Sequence, residues 1–389
     1  MKVLLIALES ISNIGEELLR ASTEFLVRES CEKAKISIAQ LKPNKNIIPK
    51  EFKIDYYFGA ALWKCFSWMK NNSSYRLKKI CYIIKYYRYF SMMIRQADKI
   101  ILPIGMMKYG TQDFSYLFHI INVLASKYNK LVLMSAMSPQ LANDFDWRYH
   151  QLVEAVNMPA VKMLTTRDGE FGVNILQSDY IRRRILCDYV GDPALWIPEV
   201  FGFKNKKKKL GVPYVGINII RKGIFDDYNK SLTDEAMFGI YVQLIKLLDQ
   251  KGWRWSVFTN GMKSDIMVLK DLQFKLGFSY DHILPTCEDG KAFAEMISGF
   301  DVVFGARLHA CITSVAVGTP VVGFIWDDKL KYFGETMKIS QFFFQPSEMT
   351  AEKIIVKMEE AVCYNFDFEN RDKYKQKTKE SIRHFLMMN

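Results

Sequence analysis

The sequence predicts an α/β protein built from two doubly wound domains, and three observations carry that prediction. Short runs of Val, Ile and Leu without polar alternation recur along the 389 residues, the pattern of parallel strands buried on both faces. Segments of helical spacing, such as 234–250 and 290–299, alternate with them, as helices covering a parallel sheet require. A lysine run, KNKKKK at 204–209, then divides the chain into halves of similar size. Composition agrees: 25% charged and 49% hydrophobic residues are ordinary globular values, which excludes disorder, collagen and coiled coil.

In the first half the predicted strands are 2–8, 99–104, 130–136, 161–165 and 187–190; in the second they are 213–220, 254–259, 301–304 and 320–325. The six apolar residues VLLIAL near the N-terminus are too few for a signal peptide and read as the first strand. No apolar run reaches the length of a bilayer span. The seven cysteines, Cys31, Cys65, Cys81, Cys187, Cys287, Cys311 and Cys363, are scattered, with no C-x-x-C pair and no histidine at metal spacing, so they read as small packed hydrophobes. A cytoplasmic location is expected. The domains are then a Rossmann-like half at 1–203, an exposed Lys-rich linker at 204–211 and a Rossmann-like half at 212–365, facing each other across a cleft. Residues 366–389 read as a C-terminal helix that packs back on the first half.

Net charge is +12, which calls for an anionic partner: nucleic acid, a phospholipid surface or a multiply charged substrate. Between Lys50 and Lys108 twelve Lys or Arg face three acids, Glu51, Asp55 and Asp98, and twelve aromatic residues crowd positions 56–90. Within this segment, 76–95 reads as a basic amphipathic helix with an apolar face of Ile80, Ile83, Ile84, Tyr87, Phe90 and Met93. Such a helix either lies in a membrane interface, with Lys78, Lys79, Lys85, Arg88, Trp63 and Trp68 at the headgroups, or buries that face against the first sheet. Single-stranded nucleic acid could use the same composition, but no nucleic-acid module accompanies it, and no nucleic-acid partner is expected.

The stretch starting at Asp301, DVVFGARLHACITSVAVGTPVVGFIWDDK, carries the chemistry. It reads as strand, turn at Gly305-Ala306, helix and strand. Arg307 and His309 then fall at the carboxyl end of a strand and in the first turn of a helix, whose N–H groups and dipole suit an anion. A guanidinium and an imidazole there make a phosphate or carboxylate clamp with a proton donor beside it. Lys329 follows the next strand, and Arg221 ends the strand PYVGINII on the same edge. Two arginines, a lysine and a histidine at one switch-point crevice suit a small, highly anionic ligand.

The string G-x-R-L-H-A-x-I-x-x-x-x-x-G-x-P-V-V from Gly305, followed by W-D-D-K, resembles the signature of the polysaccharide pyruvyl transferase family. Asn13-Ile14-Gly15-Glu16-Glu17 resembles its N-x-G-D-E loop, Thr166-Arg167-Asp168 its R-D segment, and Gly191-Asp192-Pro193-Ala194 its G-D-P-A turn. Asn218 to Arg221 and Glu288-Asp289 resemble further family elements, so the resemblance spans roughly 1–345. Departures fall in the first half: Glu16 replaces an aspartate, the glycine-rich loop is reduced to Gly105-Met106-Met107, and Ser135-Ala136-Met137-Ser138-Pro139 stands for a G-Q-S/G segment.

The resemblance implies a GT-B-like fold with a donor-binding second half and an acceptor-side first half. It implies pyruvyl transfer from phosphoenolpyruvate to a hexose, galactose-like and at O4 and O6, of a bacterial surface polysaccharide precursor, with release of phosphate. His309 would supply the proton, and Arg307 and Arg221 would hold phosphate and carboxylate. Lys329 would neutralise the departing phosphate, and Glu16, Glu17 or Asp113 would be the base. Arg167 and Asp168 read as a structural pair, Asp192 as part of a turn, and Asp327 as orienting Lys329. No metal or other cofactor is expected. The acceptor, a finished polymer or one linked to polyprenyl diphosphate, would place the enzyme at the inner face of the cytoplasmic membrane. Two alternatives stand beside this reading: a GT-B glycosyltransferase using a nucleotide sugar, and a non-catalytic basic protein that binds a membrane surface or nucleic acid.

Overall fold

Runs of branched apolar residues form strands here because helices cover both faces of each sheet and leave no side of the strand to water. The computed structural model describes residues 1–8, 13–110, 113–203, 211–228 and 230–389. These residues fall into two units: Met1–Glu9, Thr23–Gly191 and Gln376–Asn389 form the first, and Ser10–Ser22 with Asp192–Lys375 the second.

The first unit holds a six-stranded parallel sheet of β1 (Lys2–Ala7), β2 (Lys35–Gln40), β3 (Lys99–Leu102), β4 (Leu131–Met137), β5 (Val161–Thr166) and β6 (Leu186–Tyr189). Their order is β2-β1-β3-β4-β5-β6, which is doubly wound. Its helices are the later turns of α1 (Ile14–Ser30), then α2 (Lys53–Phe66), α3 (Asn72–Arg95), α4 (Phe114–Lys127), α5 (Trp147–Val156) and α6 (Gly169–Ile175). Strand β2, KISIAQ, was not expected from sequence, because it is an edge strand whose residues are mostly exposed or half-buried and so carries no continuous apolar run.

The second unit contains α7 (Ile197–Phe201), β7 (Tyr214–Asn218), α8 (Ile224–Asp227), α9 (Asp234–Gln250), β8 (Arg254–Phe258), α10 (Lys263–Leu276) and α11 (Gly290–Gly299). It continues through β9 (Val302–Gly305), α12 (Leu308–Val317), β10 (Val321–Phe324), α13 (Asp328–Thr336), β11 (Phe343–Phe344), α14 (Ala351–Cys363) and the first two turns of α15 (Phe368–Met387), whose longer remainder belongs to the first unit. The sheet is again parallel, in the order β11-β10-β9-β7-β8. From β7 the chain steps to β8 on one side and returns to β9 on the other, so the topological switch point lies between β7 and β9.

Three boundaries differ from the sequence-based expectation. The first unit ends at Gly191 rather than 203, because Ala194, Leu195 and Ile197 are buried in the core of the second. The loop and first turns of α1 also join the second unit, where Ile14 and Leu18 are core residues. Helix α15 starts in the second unit, but from Gln376 it packs back on the first as expected: its last turns are held there by Lys99, whose buried Nζ donates to the carbonyls of Phe385 at 2.9 Å and Leu386 at 2.7 Å. The lysine run and the rest of the linker up to 210 lie outside the described residues.

The helix expected at 76–95 exists as α3 but buries a different stripe: Ser74, Lys78, Cys81, Tyr82, Tyr86, Tyr89, Phe90 and Ile94. Of the expected apolar face only Phe90 is fully buried, and Ile80 is exposed. Tyrosines win the interior because their hydroxyls find partners, as Tyr82 does by donating to Asp113. Lys78 is buried too, contrary to its expected place at a membrane surface. Its ammonium would cost several kcal/mol to desolvate alone; here it donates to the carbonyls of Ser67 at 3.3 Å and Met69 at 2.5 Å, beyond the C-terminal end of α2. Trp63 likewise turns inward, edge-on to Tyr82 with ring centroids 5.0 Å apart.

His119 on α4 is buried, with Nδ1 3.6 Å from Glu154 on α5. Burial, reinforced by the charge of Lys79 and opposed by Glu154, pushes its imidazole down from 6.5 to about 4. Between those values the unfolded chain takes up a proton that the folded chain refuses, so stability falls as pH falls, by about 1.4 kcal/mol per unit. Urea unfolding of wild type and His119→Gln should therefore give free energies whose difference shrinks steadily, in the wild type's disfavour, from pH 7 to pH 4. A difference constant over that range contradicts the assignment.

Candidate functional site

Parallel strands deliver all their carboxyl ends to one edge of the second sheet, and there β7, β9 and β10 bring the sequence-predicted residues into one neighbourhood. Strand β9 turns sharply at Gly305, which has φ of 65°. A Cβ there would lie 2.6 Å from Cys311 Sγ, so only glycine lets the helix start this close to the strand. Arg307 is the N-cap residue of α12, and no side chain caps the helix. The first turn therefore presents a positive dipole end at the switch point.

Asn218, buried at the end of β7, organises this edge. Its Oδ1 accepts the Arg307 backbone N–H at 2.8 Å, and its Nδ2 donates to Asn260 Oδ1 at 3.0 Å. The Asn260 carbonyl in turn accepts the N–H of Ile14 at 3.1 Å. One carboxamide thus joins the start of α12 to the loop after β8 and to the start of α1.

The expected clamp is present in the second unit, but its cations carry carboxylate partners. Arg307 forms a two-pronged pair with Asp265 in the first turn of α10, its Nε donating to Oδ2 at 2.9 Å and its Nη2 to Oδ1. Asp265 is fully buried and the guanidinium nearly so. Lys329 Nζ lies 3.1 Å from Asp327, which also caps α13 by accepting the Lys329 N–H. Arg221 pairs with Asp227, and its Nη1 donates to the Lys222 carbonyl at 2.9 Å. Trp326 gathers two of these groups: its indole N–H donates to the Ala306 carbonyl at 2.6 Å, with Lys329 Nζ 4.8 Å and Arg307 Cζ 5.9 Å from the ring centroid. Such contacts are cation–π attractions that steady both heads.

His309 lies two residues after Arg307, in the first turn of α12, largely buried, with Nε2 3.9 Å from Asp192 Oδ2. That is longer than a hydrogen bond. Asp192 does shape a turn, accepting the Ala194 N–H at 2.8 Å, and it faces the imidazole as well. On another side the ring lies against Gly15, where a Cβ would fall 2.2 Å from His309 Nδ1. Glycine in the N-I-G-E-E loop is therefore what makes room for the R-L-H-A histidine.

The three carboxylates expected as a base part company. Glu16, in the first turn of α1 beside Gly15, accepts from Asn13 Nδ2 at 3.5 Å. Glu17 instead accepts the Gly290 N–H at 3.2 Å, at the start of α11. Asp113 belongs to the first unit, where it pairs with Lys42 at 3.2 Å and accepts from Tyr82. Arg167 and Asp168 are also in the first unit, both buried, with Asp168 accepting from Ser138 Oγ at 2.5 Å. Sequence reasoning missed Asp265, Asn260 and the platform role of Trp326. The available signal was position: each lies just past the carboxyl end of a strand of one parallel sheet.

Among the described residues no group of three or more His, Cys, Asp or Glu is placed to hold a metal ion. A cavity of about 240 Å³ lies at the opposite, amino edge of the same sheet, lined by Pro213, Phe300, Asp301, Pro320, Phe342 and Tyr364 among others. It contains none of the cations above.

The model of the family described as polysaccharide pyruvyl transferase matches residues 13–328. No curated protein sequence matches the chain. Among solved structures it is similar to the UDP-GlcNAc 2-epimerase of Methanocaldococcus jannaschii, with a TM-score of 0.61 and 11% identity over 100% of both chains. It is also similar to the UDP-GlcNAc 2-epimerase of Neisseria meningitidis bound to UDP-GlcNAc, with a TM-score of 0.58 and 13% identity over 100% of both chains. Anabaena HepE in complex with UDP-glucose gives 0.53 and 10% over 99% of each chain. At such identities the likeness carries the fold alone, and that fold is GT-B.

The Arg307–Asp265 pair yields a stability prediction. Asp265→Ala strands a buried guanidinium and should cost about 3–5 kcal/mol in chemical unfolding. Replacing both partners, Asp265→Leu with Arg307→Met, should recover most of that loss. Equal midpoints for the wild type and Asp265→Ala would show that the pair does not brace this edge.

Proposed function

The chain belongs to the polysaccharide pyruvyl transferase family, and on that premise we propose that it transfers a pyruvyl group from phosphoenolpyruvate to two hydroxyls of a hexose in a surface polysaccharide precursor, releasing phosphate. The acceptor is galactose-like and carried at the inner face of a membrane. The observation that supports this reading best is the gathering of Arg307 and Lys329 on Trp326, with His309 in the first turn of the same uncapped helix.

Phosphoenolpyruvate carries a carboxylate and a phosphate on three carbons, so it needs several donors within a small radius. Arg307 keeps its buried partner and offers its remaining edge alongside the helix N-terminus. Arg221 and Lys329 exchange their aspartates, Asp227 and Asp327, for the ligand's anionic oxygens. His309 delivers a proton to the methylene carbon, which becomes the methyl group and leaves the adjacent carbon electrophilic. One sugar hydroxyl adds there, phosphate departs, and the second hydroxyl adds to close the ketal. The two hydroxyl protons balance the reaction: one restores His309 and the other leaves on phosphate. Of the candidate bases, Glu16 is the carboxylate that shares the second unit with His309 and is not taken up by the start of α11.

Phosphoenolpyruvate should raise the melting temperature of the wild type, whereas UDP-sugars should not. His309→Ala should keep that shift but lower phosphate release, with galactose-bearing acceptors present, by about 10²–10⁴-fold. Lys329→Ala should weaken the shift itself. Stabilisation by a UDP-sugar and not by phosphoenolpyruvate would instead favour a glycosyltransferase.

A further inference from the structure

Helix α2 has two faces of opposite fate. Its inner face carries Gly59 against α3, where a Cβ would lie 2.7 Å from the Cys81 carbonyl oxygen, and turns Tyr56 and Trp63 toward the first core. Its outer face carries Ile54, Tyr57, Phe58, Ala61 and Cys65, all exposed, and just past its end the exposed Trp68 folds back to donate its indole N–H to the Cys65 carbonyl at 3.0 Å. The spacing of three and four residues makes one stripe along the helix, about 17 Å long from Ile54 to Cys65 at 1.5 Å per residue. Ile54 is 82% exposed, Phe58 57% and Trp68 76%. Beyond the α2–α3 turn, the Phe145 carbonyl accepts from Asn72 Nδ2 at 3.0 Å, and Phe145 itself is 90% exposed. A stripe of this length with so many aromatic and branched residues in water is a surface that covers something.

Charge identifies what. Positions 50–95 hold ten Lys or Arg against two acids, and one of the acids, Asp55, is taken up by Arg88 at 3.1 Å. Lys50, Lys64 and Lys70 are exposed alongside the stripe. A second copy of this chain seated on the face would set like charges against each other. An anionic lipid leaflet complements both features, taking Ile54 and Phe58 below the headgroups, Tyr57 and Trp68 at their level, and the lysines against phosphate.

We propose that the outer face of α2 is the surface by which this protein seats itself on an anionic bilayer. This moves the contact from α3, whose apolar side is largely turned inward, to the preceding helix. It depends on the transferase reading only for its purpose, which is to bring the enzyme to a lipid-carried acceptor.

The test is co-sedimentation of the full chain with phosphatidylcholine vesicles and with vesicles of phosphatidylcholine mixed with phosphatidylglycerol, without donor or acceptor. Wild type should bind the anionic vesicles, less as salt rises, and the neutral ones weakly. The triple variant Ile54→Ser, Phe58→Ser, Trp68→Ser should lose about tenfold or more in affinity while keeping its melting temperature, since all three side chains lie in solvent. Lys64→Glu with Lys70→Glu should weaken binding to anionic vesicles alone. Equal binding by wild type and the triple variant overturns the proposal. So does a wild-type dimer, seen by analytical ultracentrifugation, that the triple variant abolishes. Phosphate release measured with a soluble saccharide acceptor is independent of the vesicles, so failure here and failure of the transferase reading are separate results.

Discussion

The carboxyl edge of the second sheet depends on Asn218. A buried carboxamide must satisfy an acceptor and two donor hydrogens in place, and Asn218 does so by accepting from Arg307 N–H and donating to Asn260 Oδ1 and to the Phe258 carbonyl. Its backbone carbonyl also accepts the Tyr241 hydroxyl at 3.2 Å. Two strand ends, a helix start and, through Asn260, the loop carrying Gly15 are thereby held to one another. Polar networks of this kind are costly when half made and rigid when complete. Rigidity is what a site needs whose parts come from four separate stretches of chain. The buried Arg307–Asp265 pair adds the same kind of order, since a two-pronged contact admits one orientation of the guanidinium.

Charge has two separate roles in this molecule. At the candidate site every basic group named by sequence has an aspartate beside it, Arg307 with Asp265, Arg221 with Asp227, Lys329 with Asp327 and His309 with Asp192. The edge is thus an arrangement of donors with little surplus charge. Asp227, half-exposed, is the kind of partner that exchanges readily; Asp265, without access to water, is not. The uncompensated excess lies elsewhere, on α2 and α3, where few acids answer it.

How much of this was legible follows from how far each property depends on neighbours in sequence. Most strands of the two sheets were readable because a strand covered on both faces must be apolar throughout; β2 escaped because an edge strand need not be, and β11 because its two residues are too few to make a run. Arg307, His309 and Lys329 were readable because a strand–turn–helix–strand unit fixes where its own termini point. Asp265 and Asn260 were not, because they reach the site from β8 and α10 by tertiary placement. The buried face of α3 was misplaced for a related reason. Counting isoleucines as core and tyrosines as rim ignores that a tyrosine with a partner for its hydroxyl buries more area than an isoleucine, and the partner of Tyr82, Asp113, lies on another element.

The loop before α1 shows why position in the chain is a poor guide to position in the molecule. Residues 13–17 follow the first strand of the first sheet, so sequence order assigns Glu16 and Glu17 to that half. Yet Ile14 and Leu18 are core residues of the second unit, Ile14 N–H donates to Asn260, and Glu17 caps α11. Gly15 then falls against His309, and any larger residue would drive the imidazole from its place beside Asp192. Two motifs almost three hundred residues apart therefore impose a single steric condition. The first requires glycine because the second requires histidine, and the histidine can face Asp192 only while the glycine is there.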